Sequence, residues 1–106
     1  MPYLVRKKFD GSAADRWELP DKALTFGRGE DADVLIKDER MSRQHFSIAP
    51  RDGKYYVRDL NSTNGTYVNN ERITEKELQQ NDKIRGGQTV MVFEVEQPKT
   101  AATVIG

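Results

Sequence analysis

Three short polar clusters hold the residues whose types and spacing suit chemistry: Gly27-Arg28-Gly29, Arg40-Met41-Ser42-Arg43-Gln44-His45, and Asn61-Ser62-Thr63-Asn64. Two or three arginines beside hydroxyl and amide donors point to the capture of a dianion. The planar fork of arginine gives phosphate two parallel, charge-assisted hydrogen bonds. Ser42, Thr63 and Asn64 add neutral donors for the remaining oxygens. Catalysis has weaker support. Ser42, His45 and Asp59 supply the residue types of a hydrolase triad, but Ser-x-x-His spacing in a strand-entering loop does not set both side chains on one face. No Gly-x-Ser-x-Gly elbow is present either. One histidine and no cysteine offer no metal set, and Asp10, Asp15, Asp31 and Asp33 lack calcium-loop spacing. Gly27-Arg28-Gly29-Glu30 lacks the lysine of a P-loop and the third glycine of a dinucleotide fingerprint. Each residue also has a plainer reading. Arg28 alone would be a solvated arginine, Ser42 a turn cap, and Arg43 a surface partner for Asp38, Glu39 or Asp59.

The elements that must position these clusters read as strands. Tyr3 to Phe9 is β-prone, Asp10-Gly11-Ser12 turns, and Asp15 to Leu19 alternates polar and apolar. Ala23 to Phe26, Val34 to Ile36, Gln44 to Ile48, Lys54 to Asp59, Thr66 to Val68, Asp82 to Arg85 and Gln88 to Val95 follow, with Gly, Asn, Asp and Pro between them. Short strands every 8 to 12 residues predict an all-β sandwich, in which loops from distant parts of the chain share a rim. Asn64-Gly65 predicts a tight turn with positive φ, and Asn69-Asn70 a second one leading into Glu71-Arg72-Ile73. Only Thr74 to Gln80 reads as a helical turn, with Thr74 and Glu77 as its capping box.

Composition narrows the partners. The 106 residues predict one domain with a single core. Seventeen Lys+Arg balance seventeen Asp+Glu, so the basic field of a nucleic-acid binder is absent and any anion must be met locally. No apolar run approaches the ~20 residues of a membrane span, and the N-terminus lacks signal-peptide order, so no membrane partner is expected. The absence of cysteine fits a reducing compartment, and a cytoplasmic module, or a nuclear one in a eukaryote, is the expectation. No cofactor is implied.

Phe26-Gly27-Arg28, Met41-Ser42-Arg43-Gln44-His45-Phe46 and the run Asp59 to Asn69 together resemble the forkhead-associated (FHA) domain. The resemblance spans residues 23–95. It sets the domain at 1–96 and leaves 97–106 as a C-terminal tail or the start of a linker. It implies an eleven-stranded, antiparallel-type β-sandwich that binds phosphothreonine in partner proteins; a monomer that recognises without catalysis is the expectation. By the same resemblance Arg28 and Ser42 contact the phosphate and Arg43 is a further ligand. Thr63 lines the site for the phosphate and the threonine methyl, and Asn64 holds the peptide backbone. His45 ties loops together beneath the site, with Gly27, Gly65 and Asn69 as further structural support. Arg40 lies near the third residue after the phosphothreonine and favours an acidic side chain there. One departure stands out: Gln80-Asn81-Asp82 occurs where the family often has glycine before the aspartate. The first two strands carry no motif.

A phosphate carries about -1.5 to -2 charge at pH 7, and placed donors returning about 1 to 3 kcal/mol each, less ordering costs, predict roughly micromolar affinity. The extra methyl of threonine is worth ~0.8 kcal/mol, about fourfold over serine. Phosphotyrosine holds its phosphate too far from the backbone for a short loop-lined site. The exposed tail adds Thr100 and Thr103 as candidate self-docking marks. The competing expectation is a phosphate-independent assembly domain that uses the sandwich face.

Overall fold

Alternating apolar residues condense into eleven strands in the structure, a computed structural model that describes residues 2–7 and 12–95. In chain order they are β1 (Pro2–Lys7), β2 (Ala13–Glu18), β3 (Leu24–Gly27), β4 (Val34–Leu35), β5 (Phe46–Arg51) and β6 (Lys54–Asp59). β7 (Thr66–Val68), β8 (Glu71–Ile73), β9 (Glu75–Glu77), β10 (Lys83–Gly86) and β11 (Thr89–Val95) complete the set. One sheet has the order β2-β1-β11-β10-β7-β8 and the other β4-β3-β5-β6-β9. All pairs are antiparallel except the short β3–β4 pair, which is parallel. The Lys8-Phe9 end of the first expected strand, the Asp10-Gly11 part of its turn, and the tail with Thr100 and Thr103 lie outside the described residues.

Period-two patterning puts one face of each sheet inward. Leu4, Phe26, Phe46, Ile48, Val57, Val68, Ile84, Met91 and Phe93 fill the space between the sheets. Phe26 and Phe46 are cross-strand partners whose rings stack at 5.0 Å, and Trp17 meets Phe26 edge-on at 6.4 Å. Each such buried ring contributes about 1.5 to 3 kcal/mol, and the stacked pair adds a further ~0.5 to 1.5 kcal/mol. This pairing matters for the rim. Phe26 directly precedes Gly27-Arg28 and Phe46 directly follows His45, so two polar clusters leave the sandwich from one rigid point.

The expected helical turn over Thr74 to Gln80 is corrected to a strand. β9 adds to the edge of β6, with Tyr56 opposite Glu77, Val57 opposite Lys76 and Arg58 opposite Glu75. Tertiary pairing outweighs the weak local preference, because β6 would otherwise present unpaired backbone groups. Glu75 and Glu77 then stand 3.7 Å from Arg51 and Lys54, and Leu78 is buried.

The Asn69-Asn70 turn forms as expected. Both residues have positive φ, 51° and 70°, and they join β7 to β8 as a two-residue hairpin loop. Asn64-Gly65 behaves differently. It closes a crossover between the two sheets, and positive φ falls on Asn61 (58°) and Gly65 (86°) at the loop's ends. Asn81, the departure before Asp82, takes φ 72°, a left-handed position that asparagine tolerates best after glycine.

Candidate phosphate-binding rim

Three loops meet at one end of the sandwich. They are the β3–β4 loop with Arg28, the β4–β5 loop with Arg40, Ser42, Arg43 and His45, and the β6–β7 loop with Thr63 and Asn64. Backbone bonds hold the first two together: Arg28 N–H donates to Ser42 O and Gly29 N–H to Arg43 O, both at 3.1 Å. Gly27 permits this approach. A Cβ there would stand 2.0 Å from the carbonyl oxygen of Arg43, so any side chain forces the loops apart.

His45 joins the second loop to the third. Its ring is fully buried, Nδ1 accepts from Ser42 N–H at 3.0 Å, and Nε2 lies 2.8 Å from Gly65 O. An amide can only donate and a carbonyl can only accept, so these partners assign the ring proton to Nε2. The main chain of His45 continues the tie, donating to Phe26 O and accepting from Leu60 N–H. Two further bonds close the rim: Thr63 N–H donates to Ser42 Oγ at 3.0 Å, and Asn64 Nδ2 donates to Arg40 O at 2.8 Å.

The β6–β7 loop has its own frame. Asp59 accepts from Ser62 N–H, Ser62 Oγ and Thr66 Oγ1, and Ser62 Oγ in turn accepts from Gly65 N–H. The residues that flank the loop, Asp59 and Thr66, are thereby bonded to each other, and Ser62 ties Gly65 to the same carboxylate. Partial burial pushes the Asp59 carboxyl up, but the hydroxyls of Ser62 and Thr66 and the Ser62 amide outweigh it and hold the pKa below the ordinary value. Asp38 frames the β4–β5 loop in the same way. Partial burial opposes ionisation there too, and the Thr89 hydroxyl with the amides of Arg40, Gln88 and Thr89 pulls its pKa down.

What remains unsatisfied is a set of donors. Arg28 spends Nε on Met41 O at 2.7 Å, which aims its two terminal nitrogens outward. Ser42 Oγ already accepts from Thr63, which leaves its own proton to donate. Asn64 keeps its carbonyl oxygen and one amide hydrogen. No ion pair engages Arg28, Arg40 or Arg43 among the described residues, whereas Arg6, Arg16, Arg51 and Lys54 each face a carboxylate. Of the alternative partners for Arg43, Asp38 is occupied by the β10–β11 turn and Asp59 by its own loop, and Glu39 makes no ion pair among the described residues. The triad residues are likewise apart in role. His45 receives the amide of Ser42 rather than its hydroxyl, and Asp59 serves Ser62 and Thr66.

Of the residues singled out from sequence, Arg28, Arg40, Ser42, Arg43, Thr63, Asn64, Gly27, His45 and Gly65 come together at this rim. Asn69 does not. It sits at the far end of β7, where its side chain bonds Asp82 and the Lys83 amide and holds β7 against β10. Sequence reasoning offered Asp38 only as a surface partner for Arg43 and missed its role in framing the loop, and it missed Gly86 and Gly87. A Cβ on Gly86 would stand 3.1 Å from the His45 ring, and Gly87 has φ 60° with the Arg40–Met41 backbone pressed against it. The dipeptide signals a turn, but nothing in it signals that the β4–β5 loop packs on that turn.

The FHA domain profile matches residues 24–87. Among curated relatives, the oxoglutarate dehydrogenase inhibitor of Corynebacterium efficiens is 35% identical over 82 residues, 77% of this chain and 58% of that protein. The glycogen accumulation regulator GarA of Mycolicibacterium smegmatis is 33% identical over 77% of this chain and 52% of its own. The chain thus spans little more than half of these relatives. Among solved structures, an FHA domain described by its phosphothreonine-dependent interactions superposes with a TM-score of 0.81 at 31% identity, over 92% of this chain and 98% of that one. The FHA domain of FhaA, solved with the intracellular domain of a second protein, gives 0.79 at 32% identity, over 89% and 100%. Profile, sequence and fold agree, and this chain belongs to the FHA domain family.

Proposed function

We propose that the chain is a phosphopeptide-binding module that reads phosphothreonine in partner proteins and acts by binding, without chemistry of its own. The observation that carries this reading is the outward-facing donor set of Arg28, Ser42 and Arg43, paired with no carboxylate among the described residues and braced from below by His45. A dianion supplies the missing charge. Arg28 and Ser42 grip the phosphate, Arg43 adds a further cation, Thr63 lines the threonine methyl, and Asn64 bonds the peptide main chain. Arg40, exposed beside Asn64 and without an ion pair among the described residues, selects an acidic residue after the phosphothreonine. The relatives add support, since FHA domains 31 to 32% identical to this one are described with phosphothreonine-dependent and protein partners.

The domain in this reading occupies residues 1–96, and 97–106 is a tail whose Thr100 or Thr103, once phosphorylated, is one further ligand. It works as a monomer in the cytoplasm, or in the nucleus of a eukaryote. Among the described residues no helix is long and apolar enough to cross a membrane. Fluorescence anisotropy of a degenerate phosphothreonine peptide library, with unphosphorylated and phosphoserine controls, tests the proposal. Micromolar binding that requires the phosphate and disappears in Arg28→Ala and Ser42→Ala is expected. A folded wild-type domain that binds none of the library overturns it.

A further inference from the structure

The outer face of the six-stranded sheet carries a row that the phosphate site does not use. Arg72 on β8, Tyr67 on β7, Arg85 on β10 and Val90 on β11 are successive cross-strand partners. The Arg85 guanidinium stacks on the Tyr67 ring, 4.3 Å from its centroid. Val90 is 38% exposed, one of the few large apolar side chains in that state. Neither guanidinium has an ion pair or hydrogen bond among the described residues. They flank Tyr67 from the strands on either side, ~10 Å apart across the sheet, with no carboxylate between them. The carboxylates of this face, Glu18 and Glu94, stand opposite Tyr3 at the β1–β2 side, away from the row.

The row is continuous with the rim. Arg72 lies over Gly65, where an added Cβ would meet its Nε at 2.8 Å and its Cζ at 3.1 Å. Gly65 is the last residue of the loop that holds Thr63 and Asn64. On the opposite sheet Arg51 faces Glu75 and Lys54 faces Glu77, whereas Arg72 and Arg85 face no carboxylate among the described residues. Among those residues, arginines without an ion pair thus run from the rim, with Arg28, Arg40 and Arg43, onto this sheet face, where Lys83 on β10 adds a further cation without an ion pair.

We infer that the Arg72–Tyr67–Arg85–Val90 row is a second docking surface, which takes an acidic stretch of the same phosphorylated partner lying outside the phosphothreonine motif. The inference rests on the phosphothreonine reading. Glu or Asp side chains would bridge Arg72 and Arg85, and an apolar residue would cover Val90 and the Tyr67 ring. Such a surface adds affinity and speeds encounter without altering the choice of phosphorylated residue.

The test compares a short phosphothreonine peptide with versions extended by ten residues rich in Glu and Asp, on the N-terminal or the C-terminal side. The proteins are wild type, Arg85→Glu, Arg72→Ala and Arg28→Ala. One extension is expected to tighten wild-type binding at least fivefold, with a steeper salt dependence. Arg85→Glu, which does not touch the loop, removes that gain while leaving the short peptide's affinity within twofold, and Arg72→Ala removes most of it. Arg28→Ala weakens short and long peptides alike. Extensions that add nothing on either side, or a gain that survives Arg85→Glu, overturn the inference. A short peptide that fails to bind wild type refutes the phosphothreonine reading instead, so the two failures are distinct.

Discussion

Replacing His45 by Phe removes the two ring bonds beneath the rim while keeping an aromatic of similar bulk in the core. Ser42 N–H and Gly65 C=O would each be left without a partner at a place where the ring is fully buried. An unsatisfied buried backbone group costs about 1 to 3 kcal/mol, so the pair predicts a loss of ~2 to 6 kcal/mol. That is a large share of the ~5 to 15 kcal/mol that holds a domain of this size together. Urea denaturation is the assay. With a slope of about 1 to 2 kcal/mol per molar, the midpoint should fall by roughly one molar or more with the slope unchanged. Binding should suffer beyond the loss of folded protein. Ser42 and Thr63 would no longer share a fixed bond, and a fall of at least tenfold in phosphopeptide affinity is expected for the fraction that remains folded. A loss of stability below about 1 kcal/mol would refute the reasoning, since it would mean that neither backbone group depends on the ring.

Three further outcomes follow from the geometry. Gly27→Ala puts a Cβ into the Arg43 carbonyl at 2.0 Å, where no rotamer relieves the clash, and should cost about 3 kcal/mol or more in a thermal or urea melt; a variant within 1 kcal/mol of wild type would contradict the contact. Asp59 and Asp38 have pKa values lowered on folding, so the unfolded chain binds protons more readily and stability is present above the ordinary carboxylate value of 3.8 and lost as pH falls through and below it. Stability measured at pH 7 and pH 3 should therefore drop less in Asp59→Asn than in wild type, and equal drops would remove Asp59 from the acid transition. Asn81→Gly should change stability by no more than about 1 kcal/mol, whereas Asn81→Val, with a β-branched side chain at φ 72°, should lose ~1 to 3 kcal/mol; similar effects of the two would deny the strain.

Much of this was legible in the sequence because it rests on local chemistry. Alternation gave the β5, β6 and β11 strands, and Asn69-Asn70 gave a hairpin because two asparagines accept positive φ where few residues do. The rim residues could be grouped because they are polar, rich in donors and placed between apolar runs. What escaped depends on partners remote in sequence. β9 is a strand only because β6 offers an edge fifteen or more residues upstream, and Glu75 and Glu77 show their purpose only beside Arg51 and Lys54. Asp38 looked like one surface acid among many until the β10–β11 turn met it through Gln88 and Thr89. Asn64-Gly65 predicted a tight turn with positive φ, and Gly65 does take φ 86°, yet the chain crosses between sheets there and needs a second positive φ at Asn61 near the start of the loop.

The most direct test is a backbone amide chemical-shift titration of the isotope-labelled domain with one peptide in its phosphothreonine and unphosphorylated forms, repeated with Arg28→Lys. Shifts confined to the loops that carry Arg28, Ser42, Arg43, Thr63 and Asn64 are expected, produced only by the phosphorylated peptide. Arg28→Lys should weaken them at least tenfold, about 1.4 kcal/mol, because lysine cannot hold Met41 O and the phosphate together. Equal shifts from both peptides, or shifts centred on a sheet face with the loops silent, would contradict the account and assign the chain to phosphate-independent assembly.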